Sequence, residues 1–226
     1  MANTDTYPRF LPAGDSAILI QFGEKIDVQI NQKAHALATF LQNNPIQGIG
    51  ETIPGYCTLL VHFDLRYTSY MEIMNFLRQK APQENFLPKP DPRRIKIPVV
   101  YGGHYGPDLD FVAQHNHLTS EEVIRIHSSS IYLVYMIGFT PGFAYLGGLD
   151  ESIATPRVQN PRKHVPAGSV GIAGMQTGVY PIDSPGGWQL IGHTKKILFD
   201  PHQNPPCLLA PGDEVVFIPE PVEEHQ

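Results

Sequence analysis

The chain has 226 residues, 42% of them hydrophobic and 17% charged, with a formal net charge of −6. That length suits one large domain or two small ones with a sizeable core, and no segment concentrates enough Lys and Arg to track a nucleic-acid backbone. No stretch approaches the roughly eighteen apolar residues of a membrane span, and the first thirty residues show no basic n-region followed by an apolar h-region; with two cysteines, Cys57 and Cys207, that form no CxxC, a soluble protein of the reducing cytoplasm is expected, with no nucleic acid or membrane as partner.

In chain order, a turn at Pro12 to Asp15 leads into Ala17-Ile18-Leu19-Ile20, a strand by its β-rich run. Ile30, Ala34, Leu37, Ala38 and Leu41 then fall on one apolar stripe at helical spacing, stopped by Asn43-Asn44-Pro45. Strands over Ile49 to Ile53 and Thr58 to Phe63 flank the turn dipeptide Pro54-Gly55, which predicts a hairpin. Ser69 and Glu72 form a capping box for a second helix bearing Tyr70, Ile73, Met74 and Leu77. The order βαββα lacks one closing strand of a small split βαβ, ferredoxin-like domain.

Pro82 to Pro92 has the composition of a semi-rigid linker, which sets domains at 1–90 and 91–226. Ile95 to Tyr101 either closes the first sheet or opens the second domain; spacing alone leaves both open. Short helices follow around Leu109 to Ala113 and after Thr119, whose capping box is completed by Glu122. Ile131 to Ile137 is apolar on both alternations, as in a strand covered on each side. Further strands are expected at Val170 to Ala173, Val179 to Ile182, Trp188 to Gly192, Ile197 to Phe199 and Val215 to Ile218, an even spacing of short strands that predicts a closed barrel. The acidic tail from Glu220 to Gln226 reads as frayed.

Chemistry concentrates between Pro156 and Thr194. Glycines there permit close backbone approach, while Arg157, Arg162, Lys163 and His164 offer donors to an anion and Gln176, Thr177, Ser184 and Gln189 offer neutral ones. The competing readings are tight barrel corners for the glycines and a solvated surface for the cations. His193, at a strand end, is a candidate general acid or base. Gly138 to Asp150 carries Phe139, Phe143 and Tyr145, either the aromatic wall of a small-molecule pocket or a hydrophobic loop that covers a barrel end or docks on another subunit. There is no GxxxxGK[ST] loop, and Ala167-Gly168-Ser169-Val170-Gly171 misses the G-x-S-x-G elbow at its first position. Ten histidines include only one close pair, His115 and His117, with no HExxH, so no protein-bound metal is expected.

Two stretches, GFTPGFAYLGGLD (138–150) and PRKHVPAGSVGIAGMQTGVYPIDSPGGWQLIGHT (161–194), closely resemble the carboxyltransferase-like family that contains the B subunit of 5-oxoprolinase, allophanate hydrolase subunit 1 and the KipI-like sporulation-kinase inhibitor. IPVVYGG from Ile97, Gly106-Pro107-Asp108-Leu109, HSS from His127, LFDP from Leu198 and LLAPGDEV from Leu208 extend the resemblance over nearly the whole chain. It implies an α+β protein, a small N-terminal domain followed by a cyclophilin-like β-barrel carrying the site. It also implies the B subunit of a heteromeric, ATP-dependent 5-oxoprolinase, inactive alone, that activates 5-oxoproline for opening to L-glutamate. Such a chain would work with a KipA-like C subunit and a LamB/YcsF-type A subunit, and would bind ATP, with magnesium, jointly with a partner. The resemblance gives positions rather than roles; from the chemistry of activating a lactam, Arg157, Arg162 and Lys163 are expected to hold a carboxylate and steady a polyphosphate, backbone N–H groups at Gly186 and Gly187 to stabilise developing charge, and His193 to shuttle a proton. His164, Gln176, Thr177, Ser184, Trp188, Phe143 and Tyr145 complete the expected substrate and nucleotide contacts. The same family leaves two alternatives, an inhibitor that docks on a sporulation histidine kinase and a component of a urea- or allophanate-metabolising enzyme.

Overall fold

The structure is a computed structural model that describes residues 7–81 and 92–221, and it divides into compact units at 1–91 and 92–226. Most of the expected linker, and the tail beyond Pro221, lie outside the described residues. Among those described, no helix is long and apolar enough to cross a membrane.

In the first unit, strands β1 (Arg9–Pro12), β2 (Ala17–Gln21), β3 (Ile49–Pro54) and β4 (Thr58–Phe63) form a sheet in the order β1-β2-β4-β3, antiparallel throughout. Helix α1 (Val28–Asn43) begins at Asp27, whose carboxylate accepts the N–H groups of Gln29 and Ile30 and so satisfies donors the first turn leaves open. Its stripe Ala34, Leu37, Ala38 and Leu41 is buried against Ile18, Ile20, Leu59 and Val61 of the sheet. Helix α2 (Tyr70–Lys80) starts on the expected Ser69–Glu72 capping box. The hairpin at Pro54-Gly55 forms, closed by Gly55 N–H donating to the Thr58 carbonyl at 2.8 Å. The position beside β2 that a closing strand would occupy is held by β1, from the N-terminal side.

Residues 95–101 belong to the second unit, as part of β5 (Arg94–Tyr101). Helices α3 (Leu109–His115) and α4 (Ser120–Ser129) follow, α4 opening on the Thr119–Glu122 capping box. The strands β6 (Tyr132–Ile137), β7 (Ala144–Gly147), β8 (Arg162–Val165), β9 (Ser169–Ala173), β10 (Gln176–Val179), β11 (Ser184–Gly186), β12 (Gln189–His193) and β13 (Glu214–Glu220) complete it. Seven strands close into a barrel in the order β10-β7-β6-β13-β5-β12-β9, while β8 and β11 pair as a separate two-stranded ribbon. Only β13 and β5 run parallel among the barrel pairs. Ile97, Val99, Tyr132, Val134, Leu146, Val170, Ile172, Ile191, Val215 and Phe217 fill the core.

Two strand expectations and one loop shift. Ile197 to Phe199 is no strand: Leu198 turns inward and Phe199 makes a single bridge to Cys207. The strand expected at Val179 to Ile182 lies earlier, at β10, and the loop from Gly138 contains β7, paired with β6. An apolar residue signals burial, and burial in a covering loop satisfies that signal as well as a strand does.

Candidate functional site

The ribbon β8–β11 and the start of β12 bring most of the charged stretch around a cluster of aromatic rings. Phe143 packs edge-on against Tyr145 (4.9 Å between ring centroids), Tyr180 (5.3 Å) and Trp188 (5.4 Å). Phe143 and Trp188 are buried, Tyr145 is half-buried, and Phe139 packs on Phe143 while lying 60% exposed. Phe139 also holds a φ of 70°, a left-handed conformation uncommon for an aromatic residue. The rings therefore cluster with Phe143 and Trp188 at the base, and Tyr145 and Phe139 lie on the side toward solvent.

The two arginines expected to bind an anion have different fates. The Arg162 guanidinium donates to both carboxylate oxygens of Asp108 at 2.6 and 2.8 Å and to the Trp188 carbonyl at 3.3 Å. Asp108 also accepts the Leu190 N–H at 2.6 Å. This pair, largely sheltered from solvent, ties β8 to the start of α3 and to β12, so the charge of Arg162 is already neutralised. Arg157 is exposed, has no ion pair among the described residues, and acts electrostatically on Tyr145 and Tyr180. Burial raises both phenols above the usual tyrosine range; the Arg157 charge opposes this at each, and at Tyr180 the Trp188 N–H and Arg162 oppose it too. Both hydroxyls thus stay protonated; Tyr180, 2% exposed, is buried beneath the rings, and Tyr145 is the half-buried phenol nearer solvent.

Gly186 lies against the Tyr180 hydroxyl, where any Cβ would collide. Gly187 accepts the Val158 N–H at 2.9 Å, and the Gln189 amide donates to the Pro156 carbonyl at 2.8 Å, so the segment bearing Arg157 is fastened on both sides. Lys163 and His164 are exposed on β8, His164 standing 3.9 Å from Asp183. Ser184 is buried on β11, opposite Val165, with no hydrogen-bond partner for its hydroxyl. Gln176 begins β10, half-buried.

Two more expected site residues have protein partners of their own. Thr177 faces the barrel interior, fully buried, bonded to His127 at 2.8 Å and donating to the Gly171 carbonyl at 3.0 Å. It is not open to a ligand, because strand alternation turns it away from the face that Gly178 shares with Trp188. His193 is set by its Nε2–H, which donates to the Ala167 carbonyl at 2.8 Å, and by the Tyr105 ring at 5.7 Å. Its free nitrogen for proton transfer is therefore Nδ1.

Asp108, His127 and Tyr180 escaped the residue-by-residue reading of the sequence. Asp108 and His127 lie in Gly106-Pro107-Asp108-Leu109 and HSS, which marked the resemblance but carried no chemistry of their own; Tyr180 had no signal beyond its place in the stretch. Among the described residues, no group of three His, Cys, Asp or Glu is placed to hold a metal ion.

A model of the carboxyltransferase domain, subdomain C and D, matches residues 8–209. The B subunit of 5-oxoprolinase from Bacillus subtilis (strain 168) is 48% identical over 216 residues, which cover 91% of this chain and 90% of that one. Among solved structures, the conserved uncharacterized protein PH0987 from Pyrococcus horikoshii is 47% identical, with 96% of this chain and 99% of that one covered and a TM-score of 0.57. TTHA0988 is 37% identical with a TM-score of 0.80; 93% of this chain is covered, but it spans only 41% of that longer chain.

Proposed function

We propose, from the premise that this chain belongs to the carboxyltransferase-domain family of subdomains C and D, that it is the B subunit of an ATP-dependent 5-oxoprolinase, helping to activate 5-oxoproline for opening to L-glutamate. The observation that carries this reading is the likeness to the Bacillus subtilis B subunit over about nine-tenths of both chains. The geometry supports it, because 5-oxoproline is a small ring bearing one carboxylate.

Arg157 is the cation for that carboxylate, beside the protonated phenol of Tyr145, while the buried Tyr180 supports the rings from beneath. The half-buried face of Tyr145 accommodates the lactam ring. A lactam carbon is a poor electrophile. Bonding its carbonyl oxygen to the γ-phosphorus of ATP, with ADP leaving, makes it a good one; one water then opens the C–N bond to an acyl phosphate, and a second releases phosphate and glutamate. His193 Nδ1 is a base on this chain for such a proton transfer.

The chain's own groups fit a carboxylate better than a triphosphate. With Arg162 neutralised, Lys163 is the cation that remains on β8 for a phosphate, and no acidic cluster for magnesium stands among the described residues. We therefore assign the nucleotide and its metal chiefly to a KipA-like C subunit, with a LamB/YcsF-type A subunit completing the complex; the chain alone is inactive on this reading.

The test is 5-oxoproline-dependent ATP hydrolysis by the reconstituted complex. Arg157→Ala is expected to raise KM for 5-oxoproline about 10- to 100-fold, the loss of one charge-assisted bond, while the chain stays folded. A wild-type complex that hydrolyses no ATP in response to 5-oxoproline would overturn the reading, and an unchanged KM in the variant would remove Arg157 from it.

A further inference from the structure

We infer that His127 is a positioning residue for the aromatic wall, acting through Thr177 to hold the backbone floor on which Trp188 and Phe143 rest. The inference deepens the proposed function and rests on it for its kinetic consequence, but its structural part stands apart from any substrate.

His127 occupies the last turn of α4, fully buried, with its ring stacked on Phe217 at 4.5 Å and flanked by Tyr101 and Tyr132. The direction of each hydrogen bond follows from counting protons. Thr177 has one hydroxyl proton and donates it to the Gly171 carbonyl, so toward His127 Nε2, at 2.8 Å, it can only accept. Nε2 therefore carries the hydrogen. Burial holds the imidazole neutral, its pKa brought down to about 3, which leaves Nδ1 bare to accept the Tyr101 hydroxyl at 2.8 Å. The relay runs Tyr101 to His127 to Thr177 to Gly171, with every proton used once. The Tyr132 hydroxyl fastens the His127 carbonyl at 2.8 Å.

What hangs on this relay is the pair Gly171 and Gly178, which face each other across β9 and β10. A Cβ on Gly171 would come within 3.0 Å of Trp188 Cβ. One on Gly178 would come within 3.2 Å of both Trp188 Cζ3 and Phe143 Cζ, and 3.1 Å from the Ala144 carbonyl. The two rings thus lie directly on backbone. Thr177, next to Gly178, points the opposite way into the grip of His127, and the relay ends on the carbonyl of Gly171 itself. A shift of Thr177 moves the floor, and the floor sets the height of the rings that Tyr145 packs against. Buried polar chains of this kind are stable only when every member is satisfied, so loss of one hydroxyl is felt along the whole relay.

Trp188 is the single tryptophan of the chain, and its near-ultraviolet circular dichroism and emission report the floor directly. Thr177→Val keeps the side-chain shape and removes the hydroxyl; Thr177→Ser keeps the hydroxyl. The valine variant is expected to change the Trp188 spectra of the whole chain and to raise KM for 5-oxoproline in the reconstituted complex about 3- to 10-fold with little change in kcat, as a displaced binding wall would. The serine variant is expected to restore both. Should the valine chain fail to fold, Tyr101→Phe carries the same readouts by leaving Nδ1 without its donor. Folded variants with wild-type Trp188 spectra would overturn the inference, and altered spectra with an unchanged KM would overturn the positioning role. If the wild-type complex does not act on 5-oxoproline at all, the proposed activity fails while the spectra still decide whether His127 holds the floor.

Discussion

Among the described residues of the first unit the buried polar side chain is Asn31, which donates to the carbonyls of Gly55 and Tyr56 and pins the β3–β4 turn. The barrel buries His127, Thr155, Ser169, Thr177, Ser184, Gln189, Thr194 and Asp213. The first unit is held by a plain apolar layer between helices and sheet. In the barrel, polar groups have been taken out of water, at a cost of roughly 1–3 kcal/mol each if left unpaired, and most are paired with one another or with backbone. Many of these lie in or beneath the stretch from Pro156 to Thr194. Stability alone asks for no such arrangement. On the proposed function, fixing the wall around Arg157 does, because a hydrogen bond specifies distance and direction where an apolar contact specifies only burial.

The contrast is easiest to break at the Asp108–Arg162 pair. Asp108→Ala leaves a sheltered guanidinium without its carboxylate and the Leu190 N–H without its acceptor. A loss of about 2 to 3 kcal/mol is expected, below the full cost of a wholly buried pair because both side chains keep some exposure. Urea unfolding followed by Trp188 emission measures it in the barrel, while hydrogen exchange of α1 and β4 should stay as in the wild type. Equal loosening of both units would undo the distinction.

Acid sharpens it next. The His127 imidazole has a pKa of about 3 in the folded barrel and an ordinary value of 6.5 when free. Unfolding therefore takes up a proton below pH 6.5, so this contribution is whole above that pH and drains away as the pH falls toward the folded value. Tyr101 and Tyr132, the titratable groups facing the ring, are pushed up by burial and stay protonated throughout. Between pH 6.5 and about pH 5, before carboxylates titrate, the barrel should lose about 2 kcal/mol. His127→Gln is expected to flatten that slope; a slope that persists unchanged would assign it to another group.

The smallest effect belongs to the first unit. Asp27→Ala removes the acceptor for two N–H groups of α1, and a cost of about 1 kcal/mol is expected. Hydrogen exchange in the first turn of α1 checks it, with no change in Trp188 emission.

What the sequence determined by itself is local. The stripe from Ala34 to Leu41, the two capping boxes and the Pro54-Gly55 turn each involve residues within about a dozen positions, so backbone geometry and burial suffice to place them. The run from Gly138 to Asp150 was legible as aromatic and glycine-rich, though not as containing β7, since Ala144–Gly147 is too short to show an alternation. Its resemblance-bearing stretches also marked the region of the candidate site. The tertiary structure decided which members of that region are free to act. Arg157 and Arg162 look alike in sequence, but Asp108, 54 positions from Arg162, takes one and leaves the other. Thr177 reads as a polar ligand contact until β10 turns it inward onto His127, 50 positions away. The spacing of short strands predicts a closed barrel, but pairings at such separations depend on which strands meet and in what register, and no local periodicity encodes that.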